Sequence, residues 1–449
     1  MIKTLHLTNS WHATSGGIST FYRALLGAAN DEGHLIRLVV PGDADRVETA
    51  GQYGLIYFVK ARQAPLNASY RIMLPGAFLG PHGEIRRILD EERPDLVEVC
   101  DKYTLPYLSG LLREKRLLGP EFRPVTVGLS CERMDENFAT YIRAGALGEA
   151  FSRVYMKWLY FPMFDHHIAV SDHTAQELVP ASRGHKVQRG VWVSPMGADC
   201  DRFRPDRRGE EHRRKWTANC GGGDRTTLLL YAGRLAAEKN LPLLADLMES
   251  LANDSEHDFR LLIAGDGVMR AELETLCRQR APERVTFLGH VGDRDELADL
   301  YANADIFVHP NPREPFGIAP LEAMAAGLAL VAPRSGGVMS YATDRNAWLG
   351  AACPETFAGL VRSVVANPAL RRQKTQAARS TAEQFRWQSV ASQYLRLYES
   401  LYDLHRGTAR QRQAIAPRFY STTGNWLGME IPAATQPQQN KTLFQQLFY

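Results

Sequence analysis

This sequence of 449 residues is poor in the features that mark secreted, membrane-spanning or nucleic-acid-binding proteins. Its six cysteines include no pair with metal-ligand spacing, and a chain of this size needs no disulfides to hold its fold. The net charge of +3 at pH 7 is too small to indicate nucleic acid as a partner. No run approaches the ~20 apolar residues of a membrane span, and the first residues lead into a strand without an apolar leader. We therefore expect a cytoplasmic protein with reduced thiols, which at most contacts the inner face of a membrane peripherally.

What the sequence does have is a repeated alternation of apolar strands and helical patterns, which predicts doubly wound parallel α/β sheets. One series of strands runs from Ile2–Leu7 to Ile168–Val170, and a second from Leu228–Ala232 to Leu330–Ala332. The length fits two domains of roughly 200 residues each. Gly221-Gly222-Gly223 is typical of a surface loop or a linker. Because open α/β sheets bind ligands at the carboxyl ends of their strands, we expect a cleft between the two sheets.

The most informative segment leads into the last strand of the second series. Glu314 precedes a glycine turn at Gly317, and Glu322 follows in what we predict to be the first turn of a helix. A helix opening offers unpaired N–H groups and the positive end of a dipole, so it suits a phosphate. One carboxylate can face a sugar and the other a ribose, with the phosphates between them. The pattern predicts a nucleotide-sugar site.

A second segment places two cations at the carboxyl end of the strand Leu228–Ala232. Arg234 and Lys239 lie five residues apart, and Pro242 stands where a helix would begin. An arginine binds phosphate in a bidentate way and a lysine acts as a compact charge. Fixed cations aimed at a leaving diphosphate stabilise the transition state more than the ground state. The alternative is an ordinary solvated loop.

Three further turns give weaker indications. Gly16-Gly17, after the first strand, would let the backbone approach a phosphate or would form a plain turn. No G-x-G-x-x-G follows that strand, which argues against a dinucleotide oxidoreductase. Gly265 and Asp266 could line a nucleotide pocket, although Asp266 could instead cap a helix. Main-chain groups at His290-Val291 could hydrogen-bond a base.

Together these segments resemble the retaining glycosyltransferase family 4, also called the group 1 glycosyltransferases, which has the GT-B fold of two Rossmann-like domains facing a cleft. The shared marks follow the family's order over about residues 1–400. They are Gly16-Gly17, Ser171, Ser194-Pro-Met-Gly197-Ala-Asp199, Gly233-Arg234-Leu235 with Glu238-Lys239-Asn240, Gly265-Asp266-Gly267, and Glu314 with Glu322. The domains we then expect are an acceptor-side domain (1–200), a nucleotide-sugar domain (201–384), a helix that returns to the first domain (385–406) and a poorly ordered or docking tail (407–449).

The resemblance also implies roles for individual residues. Arg234 and Lys239 would hold the donor diphosphate, and Glu314 would contact hydroxyls of the donor sugar. Glu322 would bind the ribose. The other substrate contacts are expected from the turns and their neighbours: Gly16, Gly17, Gly265, Asp266, Val291, Phe316, Gly317 and Ile318.

The family transfers sugar with retention of anomeric configuration and without a required metal, and we find no D-x-D pair placed as a metal clamp. We therefore expect no metal and no cofactor. The expected partners are a nucleotide-sugar donor and a saccharide, lipid or small-molecule acceptor.

One position departs from the family pattern. Many members carry a histidine after the strand that corresponds to Val125–Leu129, and Cys131 stands at that place here. Either Glu132 takes over a substrate contact, or the correspondence shifts by one residue. Cys131 itself has either a structural or a catalytic role.

Two other functions fit the same fold. A nucleotide-sugar epimerase or hydrolase would need further acid/base groups in the cleft, and the sequence shows no persuasive set. A non-catalytic sugar-binding subunit would be expected to lose Glu314, Arg234 or Lys239, and all three are present.

An apolar face at helical spacing lies in the first half of the chain, with Arg153 and Lys157 beside it. It consists of Phe151, Val154, Tyr155, Trp158 and Leu159. We expect a helix that packs this face on the first sheet. The alternative is contact with lipid, which an aromatic face with nearby cations would also suit.

Overall fold

The computed structural model describes residues 2–11, 16–64, 67–141, 145–184 and 190–406, together with two short strands nearer the C-terminus. The strands of the first half are β1 (Lys3–Thr8), β2 (Leu35–Gly42), β3 (Arg46–Ala50), β4 (Gly54–Lys60), β5 (Arg62–Ala64), β6 (Asn67–Ile72), β7 (Leu96–Cys100), β8 (Val125–Ser130), β9 (His166–Ala169) and β10 (Val191–Val193). Its helices are α1 (Gly17–Glu32), α2 (Gly76–Leu79), α3 (Glu84–Glu92), α4 (Pro106–Arg113), α5 (Met134–Tyr141), α6 (Gly145–Tyr155) and α7 (Asp172–Ser182).

The second half repeats the alternation. Its strands are β11 (Thr226–Ala232), β12 (Asp258–Ala264), β13 (Val285–Gly289), β14 (Ile306–Val308), β15 (Ala329–Pro333) and β16 (Trp348–Gly350). Its helices are α8 (Glu210–Asn219), α9 (Pro242–Ala252), α10 (Arg270–Arg280), α11 (Arg294–Asn303), α12 (Ile318–Ala325), α13 (Pro354–Ala366), α14 (Pro368–Glu383) and α15 (Trp387–Arg406). The short strands β17 (Arg418–Tyr420) and β18 (Trp426–Gly428) pair antiparallel.

The molecule is built on two large β-sheets, as the sequence predicts. The first has the order β10-β9-β8-β7-β1-β2-β4-β3, and the second has the order β13-β12-β11-β14-β15-β16. All pairs are parallel except β3 with β4 at the edge of the first sheet. Strands β14 and β15 are buried at every position and are apolar throughout, as expected for the strands of a parallel sheet covered on both faces. The prediction of two parallel α/β sheets is confirmed, whereas the domain borders at residues 200 and 384 stay predictions.

The last helix begins slightly later than the returning helix that we expected over residues 385–406. Helix α14 ends at Glu383 and α15 begins at Trp387. Between them the backbone pairs with Ala198: the Ala198 amide donates to the Phe385 carbonyl (2.8 Å), and the Trp387 amide donates to the Ala198 carbonyl (3.2 Å). These bonds satisfy backbone groups that a continuous helix would use internally.

Helix α15 packs along α1 and reaches the first sheet through two tyrosines. The Tyr394 hydroxyl donates to the Ser194 carbonyl (2.6 Å), and the Tyr398 hydroxyl donates to the buried carboxylate of Glu98 on β7. The first half of the molecule therefore includes a helix from the far end of the chain.

Two other expectations concern the loop before Asp224 and the C-terminal tail. Gly221-Gly222-Gly223, which we expected to form a surface loop or a linker, lies in a loop between α8 and β11, and α8 before it buries Trp216. Most of the predicted tail lies outside the described residues, and the part that is described consists of β17 and β18.

The apolar face around Phe151 also differs from the packed helix that we expected. Phe151, Val154, Trp158 and Leu159 are exposed, while Ser152, Met156 and Tyr160 on the opposite side are buried. The periodicity correctly predicts a helix, but the buried side is the one with fewer large apolar residues. Among the described residues, no helix combines the length and the apolar character needed to cross a membrane.

Candidate active site

The centre of the candidate site is the turn that leads from β14 into α12. Gly317 is the N-cap of α12 and has a φ of +90°. A Cβ atom there would lie 2.8 Å from the Tyr341 hydroxyl oxygen and 3.3 Å from Cγ of Glu314. The Tyr341 hydroxyl donates to the Gly317 carbonyl (2.6 Å), which fixes the turn. Glycine is required here both for the left-handed conformation and for space, and the first amides of α12 are left for a ligand.

Glu314 is held next to this turn by a lysine from the other candidate segment. The Lys239 ammonium lies 2.9 Å from Oε2 and 3.1 Å from Oε1 of Glu314, and the Asn311 amide donates to Oε2 (3.0 Å). Burial alone would raise the pKa of Glu314. The positive charge of Lys239 and the hydrogen bonds outweigh burial and lower the pKa to about 2. Glu314 is thus an anion at every ordinary pH.

A histidine lies behind the same carboxylate. Nε2 of His309 is 3.7 Å from Oε2 of Glu314, and His309 is buried at the end of β14. Burial lowers the pKa of His309 to about 4, and Glu314 opposes this only in part. His309 is therefore neutral at neutral pH, and the charge balance at the turn is set by Glu314 and Lys239.

Arg234 reaches across to the first half of the molecule. Its guanidinium donates to the hydroxyl of Tyr70 on β6 (2.8 Å) and to the carboxylate of Glu238. Arg234 precedes the short helical turn 237–239 and Lys239 is its last residue, with Lys239 directed to Glu314 and Arg234 directed to Tyr70. The side chains of the two predicted cations therefore contact different partners.

Glu322 lies deeper in the molecule than Glu314. Helix α12 begins at Ile318, so Glu322 is in its second turn and not in the first as we expected. The Arg294 guanidinium donates to Oε1 of Glu322 (2.7 Å). Burial raises the pKa of Glu322 and Asp199 adds to this, whereas Arg294 opposes it.

Glycines allow the strand ends of the second sheet to approach one another. A Cβ on Gly265 would lie 1.9 Å from the Gly233 carbonyl oxygen, and one on Gly267 would lie 2.3 Å from the Leu235 carbonyl oxygen. Both glycines have a φ of +156°. Gly265 therefore has a packing role whatever else it does. Asp266 accepts from the Gly267 amide (2.7 Å) and pairs with Arg270, and it does not cap α10, whose N-cap is Met269.

The two halves of the molecule meet at the glycine turns. A Cβ on Gly17 would lie 3.3 Å from Cδ1 of Ile318, so the opening of α1 faces the opening of α12. The Ser171 hydroxyl of the first half donates to the Pro315 carbonyl. The structure thus brings Gly17, Ile318, Glu314 and Lys239 to one interdomain region.

Other predicted residues lie around this region with different surroundings. Gly16 is the N-cap of α1, and its carbonyl accepts from the Thr20 hydroxyl (2.7 Å). Val291 is half-buried and packs on the core after β13. The Phe316 side chain is buried, with its ring centroid 5.3 Å from that of Tyr341, so only its main chain could contact a ligand.

The acceptor side contains the position where the family pattern is broken. Sγ of Cys131 lies 3.6 Å from Sγ of Cys100, and burial raises the pKa of the Cys131 thiol well above its usual range. The adjacent Glu132 instead belongs to a polar cluster, because Nδ2 of Asn137 donates to its Oε2 (2.9 Å) and to the Tyr103 hydroxyl (3.0 Å). Burial raises the pKa of Glu132, and Lys102 opposes this. The geometry favours a packing role for Cys131 and leaves Glu132 as the polar group.

Sequence reasoning missed the side chains that hold the predicted ones. These are Tyr70, Arg294, His309 and Asn311. Asn311 and His309 precede Glu314 by three and five residues, so their proximity could have signalled a contact. Tyr70 and Arg294 are distant in sequence and gave no signal. Within the described ranges, no group of three or more His, Cys, Asp or Glu side chains could hold a metal ion.

Comparisons with known proteins agree with this arrangement. The model of glycosyltransferase family 4 matches residues 15–202, and the model of glycosyl transferases group 1 matches residues 213–381. The chain therefore belongs to the group 1 glycosyltransferases of family 4. It is a glycosyltransferase that uses a nucleotide-sugar donor, and the family resemblance inferred from its motifs is confirmed.

Individual relatives cover most of the chain. A GDP-mannose-dependent alpha-(1-6)-phosphatidylinositol dimannoside mannosyltransferase from Mycobacterium tuberculosis is 29% identical over 394 residues, which are 88% of this chain and 95% of the relative. Sucrose-phosphate synthase from Thermosynechococcus elongatus superimposes with a TM-score of 0.71 at 18% identity, over 90% of this chain and 99% of that one. Anabaena HepE in complex with UDP and glucose gives a TM-score of 0.67 at 16% identity, over 89% and 100%. The two solved structures show the GT-B fold.

Proposed function

We propose that this protein is a metal-independent, retaining mannosyltransferase that uses GDP-mannose and acts on a lipid-linked saccharide at a membrane surface. The observation that carries the choice of substrates is the similarity to the GDP-mannose-dependent relative, which extends over nearly the whole length of both chains. The geometry of the Glu314 turn supports the reaction class, because a partly buried anion and a cation adjoin helix amides that suit a diphosphate.

In this proposal the donor binds mainly to the second half of the molecule. Lys239 and Arg234 neutralise the diphosphate, with Gly17 approaching it from the first half. The amides after Gly317 contact sugar or phosphate, and Glu314 accepts hydrogen bonds from hydroxyls of the mannose.

The nucleoside lies farther along α12. Glu322 accepts hydrogen bonds from the ribose hydroxyls, and main-chain groups near Gly265, Asp266 and Val291 contact the base. Arg294 offsets only part of the rise that burial causes in the pKa of Glu322. This supports the role, because hydroxyl donors of a ribose would further stabilise the ionised carboxylate.

The acceptor lies against the first half, where Glu132 and its neighbours offer polar groups. The acceptor hydroxyl attacks the anomeric carbon from the face that the leaving group departs from, and an oxygen of the departing phosphate takes the proton. A new glycosidic bond forms as the sugar–phosphate bond breaks, so the anomeric configuration is retained and no metal or cofactor takes part.

A donor panel tests the proposal. The purified chain is titrated calorimetrically with GDP, UDP and ADP, and the corresponding sugar nucleotides are then incubated with a mannosylated phosphatidylinositol acceptor in the presence of a chelator. We expect GDP to bind most tightly and the product to carry an α-linked mannose by NMR. Preferred binding of UDP or ADP would reject the donor, a β-linked product would reject retention, and loss of activity with the chelator would reject metal independence.

A further inference from the structure

The helix α6 and its continuation carry a strip of exposed apolar side chains, which we call the α6 surface. It consists of Leu147, Phe151, Val154, Trp158 and Leu159. Leu147 is 82% exposed and Trp158 64%. Among the described residues, these five are nearly half of the eleven most exposed large hydrophobic side chains, which makes the strip a patch and not scattered exposure.

The packing of the opposite side fixes this orientation. The Ser152 hydroxyl donates to the buried carboxylate of Glu177 (3.4 Å), and Met156 and Tyr160 are buried. The Tyr155 hydroxyl donates to the Lys102 carbonyl (2.9 Å). After Tyr155 the chain continues as one π-helical turn, Met156–Tyr160, in which Trp158 and Leu159 both point outward. Rotation of the helix to bury the strip would break these contacts.

The α6 surface is continuous with the candidate acceptor side. Helix α5 packs on α6, with the Phe138 ring edge-on to Phe151 at 5.6 Å between centroids. The same helix α5 carries Asn137, which contacts Glu132. A molecule seated on the strip would therefore lie beside the polar groups that we assign to the acceptor.

The charged residues of α6 and its continuation are two cations and one acid. Arg153 is exposed, and Nζ of Lys157 lies 5.3 Å from the centroid of the Trp158 ring. Glu149 is the acidic side chain on the same helix. Aromatic rings with adjacent cations suit the boundary between acyl chains and anionic headgroups.

We propose that the α6 surface docks on an anionic lipid bilayer and thereby presents the acceptor side of the cleft to a lipid-anchored saccharide. This inference rests on the proposed function, since it names the surface by which a lipid-linked acceptor would be reached. Leu147, Phe151, Val154, Trp158 and Leu159 enter the boundary region, while Arg153 and Lys157 contact phosphate groups of the lipids.

The test uses the full-length protein and extruded vesicles, either of phosphatidylcholine alone or of phosphatidylcholine mixed with phosphatidylglycerol. The apolar variant is Phe151→Ser with Trp158→Ser. Its matched control is Val47→Ser with Leu404→Ser, two exposed apolar side chains on β3 and α15. The charge variant is Arg153→Gln with Lys157→Gln. Thermal unfolding by circular dichroism verifies that every variant is folded.

We expect the wild type and the control to bind the mixed vesicles, and the apolar variant to lose about 10-fold or more in partition coefficient, because two large side chains no longer enter the boundary. The charge variant should lose roughly fivefold per cation on mixed vesicles and change little on phosphatidylcholine alone. Unchanged vesicle binding by the apolar variant would overturn the proposal. So would a wild type that ignores vesicles but forms dimers that the apolar variant abolishes.

Calorimetric binding of GDP without vesicles separates this inference from the proposed function. The apolar and charge variants should bind GDP as the wild type does. Absent vesicle binding with intact GDP binding overturns the docking surface alone, whereas vesicle binding without GDP binding overturns the proposed donor and leaves the docking surface standing.

Discussion

Glu314 and Glu322 are a partly buried and a buried carboxylate on either side of one helix opening, and their pKa values are shifted in opposite directions. Glu314 accepts hydrogen bonds from Lys239 and Asn311, and its pKa falls to about 2. Glu322 accepts a hydrogen bond from Arg294, and burial nevertheless raises its pKa. The two residues share a motif, but Glu322 is the more deeply buried and their charged neighbours differ.

The difference shows how the site divides its tasks. Glu314 has its charge compensated before any ligand arrives, so it is preorganised to contact a reacting sugar. Glu322 keeps part of its desolvation cost, which hydroxyl donors from a bound ligand would relieve. A catalytic role for the first and a binding role for the second would follow from this contrast.

Replacing Glu314 tests the first half of the contrast and should have the largest effect. Glu314→Gln removes the anion and leaves Lys239 without its counter-charge, so we expect transfer to fall by ~10²-fold or more. Steady-state kinetics with saturating donor would measure it. Glu249→Gln, on the exposed side of α9, is the matched control and should be near wild type. Comparable activity in the two variants would remove Glu314 from the catalytic groups.

Removing Lys239 should make Glu314 behave like Glu322. In Lys239→Met, burial of Glu314 is no longer opposed by the ammonium, so its pKa rises. The acid limb of kcat/KM should then move to higher pH, with a loss of about 10-fold near neutral pH from weaker diphosphate binding. An acid limb at the wild-type position would show that Lys239 does not set this ionisation.

The same pair contributes to stability with a predictable sign. Because the folded pKa of Glu314 lies below its ordinary value of 4.5, its stabilisation is present above that value and is lost as the pH falls towards about 2. For Glu322 the raised pKa has the opposite sign, so its ionisation opposes folding as the pH rises. Urea unfolding at neutral pH should therefore show Glu314→Gln destabilised by about 3 kcal/mol and Glu322→Gln by less. Equal losses in the free energy of unfolding would mean that the different charge environments of Glu314 and Glu322 do not affect stability.

Replacing Glu322 should affect binding more than chemistry. In Glu322→Gln one charged contact with a ribose becomes a neutral one, so we expect GDP affinity to fall by about 10-fold while kcat at saturating donor changes little. Calorimetry for GDP and kinetics for transfer measure the two effects separately. A large fall in kcat with unchanged affinity would reverse the assigned roles.

The smallest expected effect concerns the contact that spans the cleft. Tyr70→Phe removes the hydroxyl that accepts from Arg234. Because this acceptor is neutral and Arg234 is partly exposed, its loss should lower kcat/KM by only roughly two- to fivefold. Arg234→Lys should cost more, because a lysine cannot reproduce the bidentate geometry. A Tyr70→Phe effect as large as that of Arg234→Lys would make Tyr70 part of the diphosphate site.

Most of the fold could be predicted because its signals are local. Buried parallel strands such as β14 and β15 appear as continuous apolar runs, and the intervening helices follow from the spacing of apolar residues. The division between α14 and α15 could not be predicted, because it depends on backbone pairing with Ala198, nearly two hundred residues away. The exposure of the α6 surface could not be predicted for a related reason. An apolar helix face indicates that something covers it, but it does not show whether this is the protein's own core or another molecule.

The candidate site divides in the same way. The sequence by itself determined the Glu314 turn and the cation segment. The backbone conformation at Gly317 admits only glycine, so the turn is visible in the sequence, and the cation segment is visible because it directly follows a strand. Only the tertiary structure decided that Lys239 stabilises the ionised form of Glu314 and that Arg294 offsets only part of the desolvation of Glu322. It also decided that Arg234 donates to Tyr70. Electrostatic effects depend on distance and burial in space, and neither quantity is written in the spacing of residues along the chain.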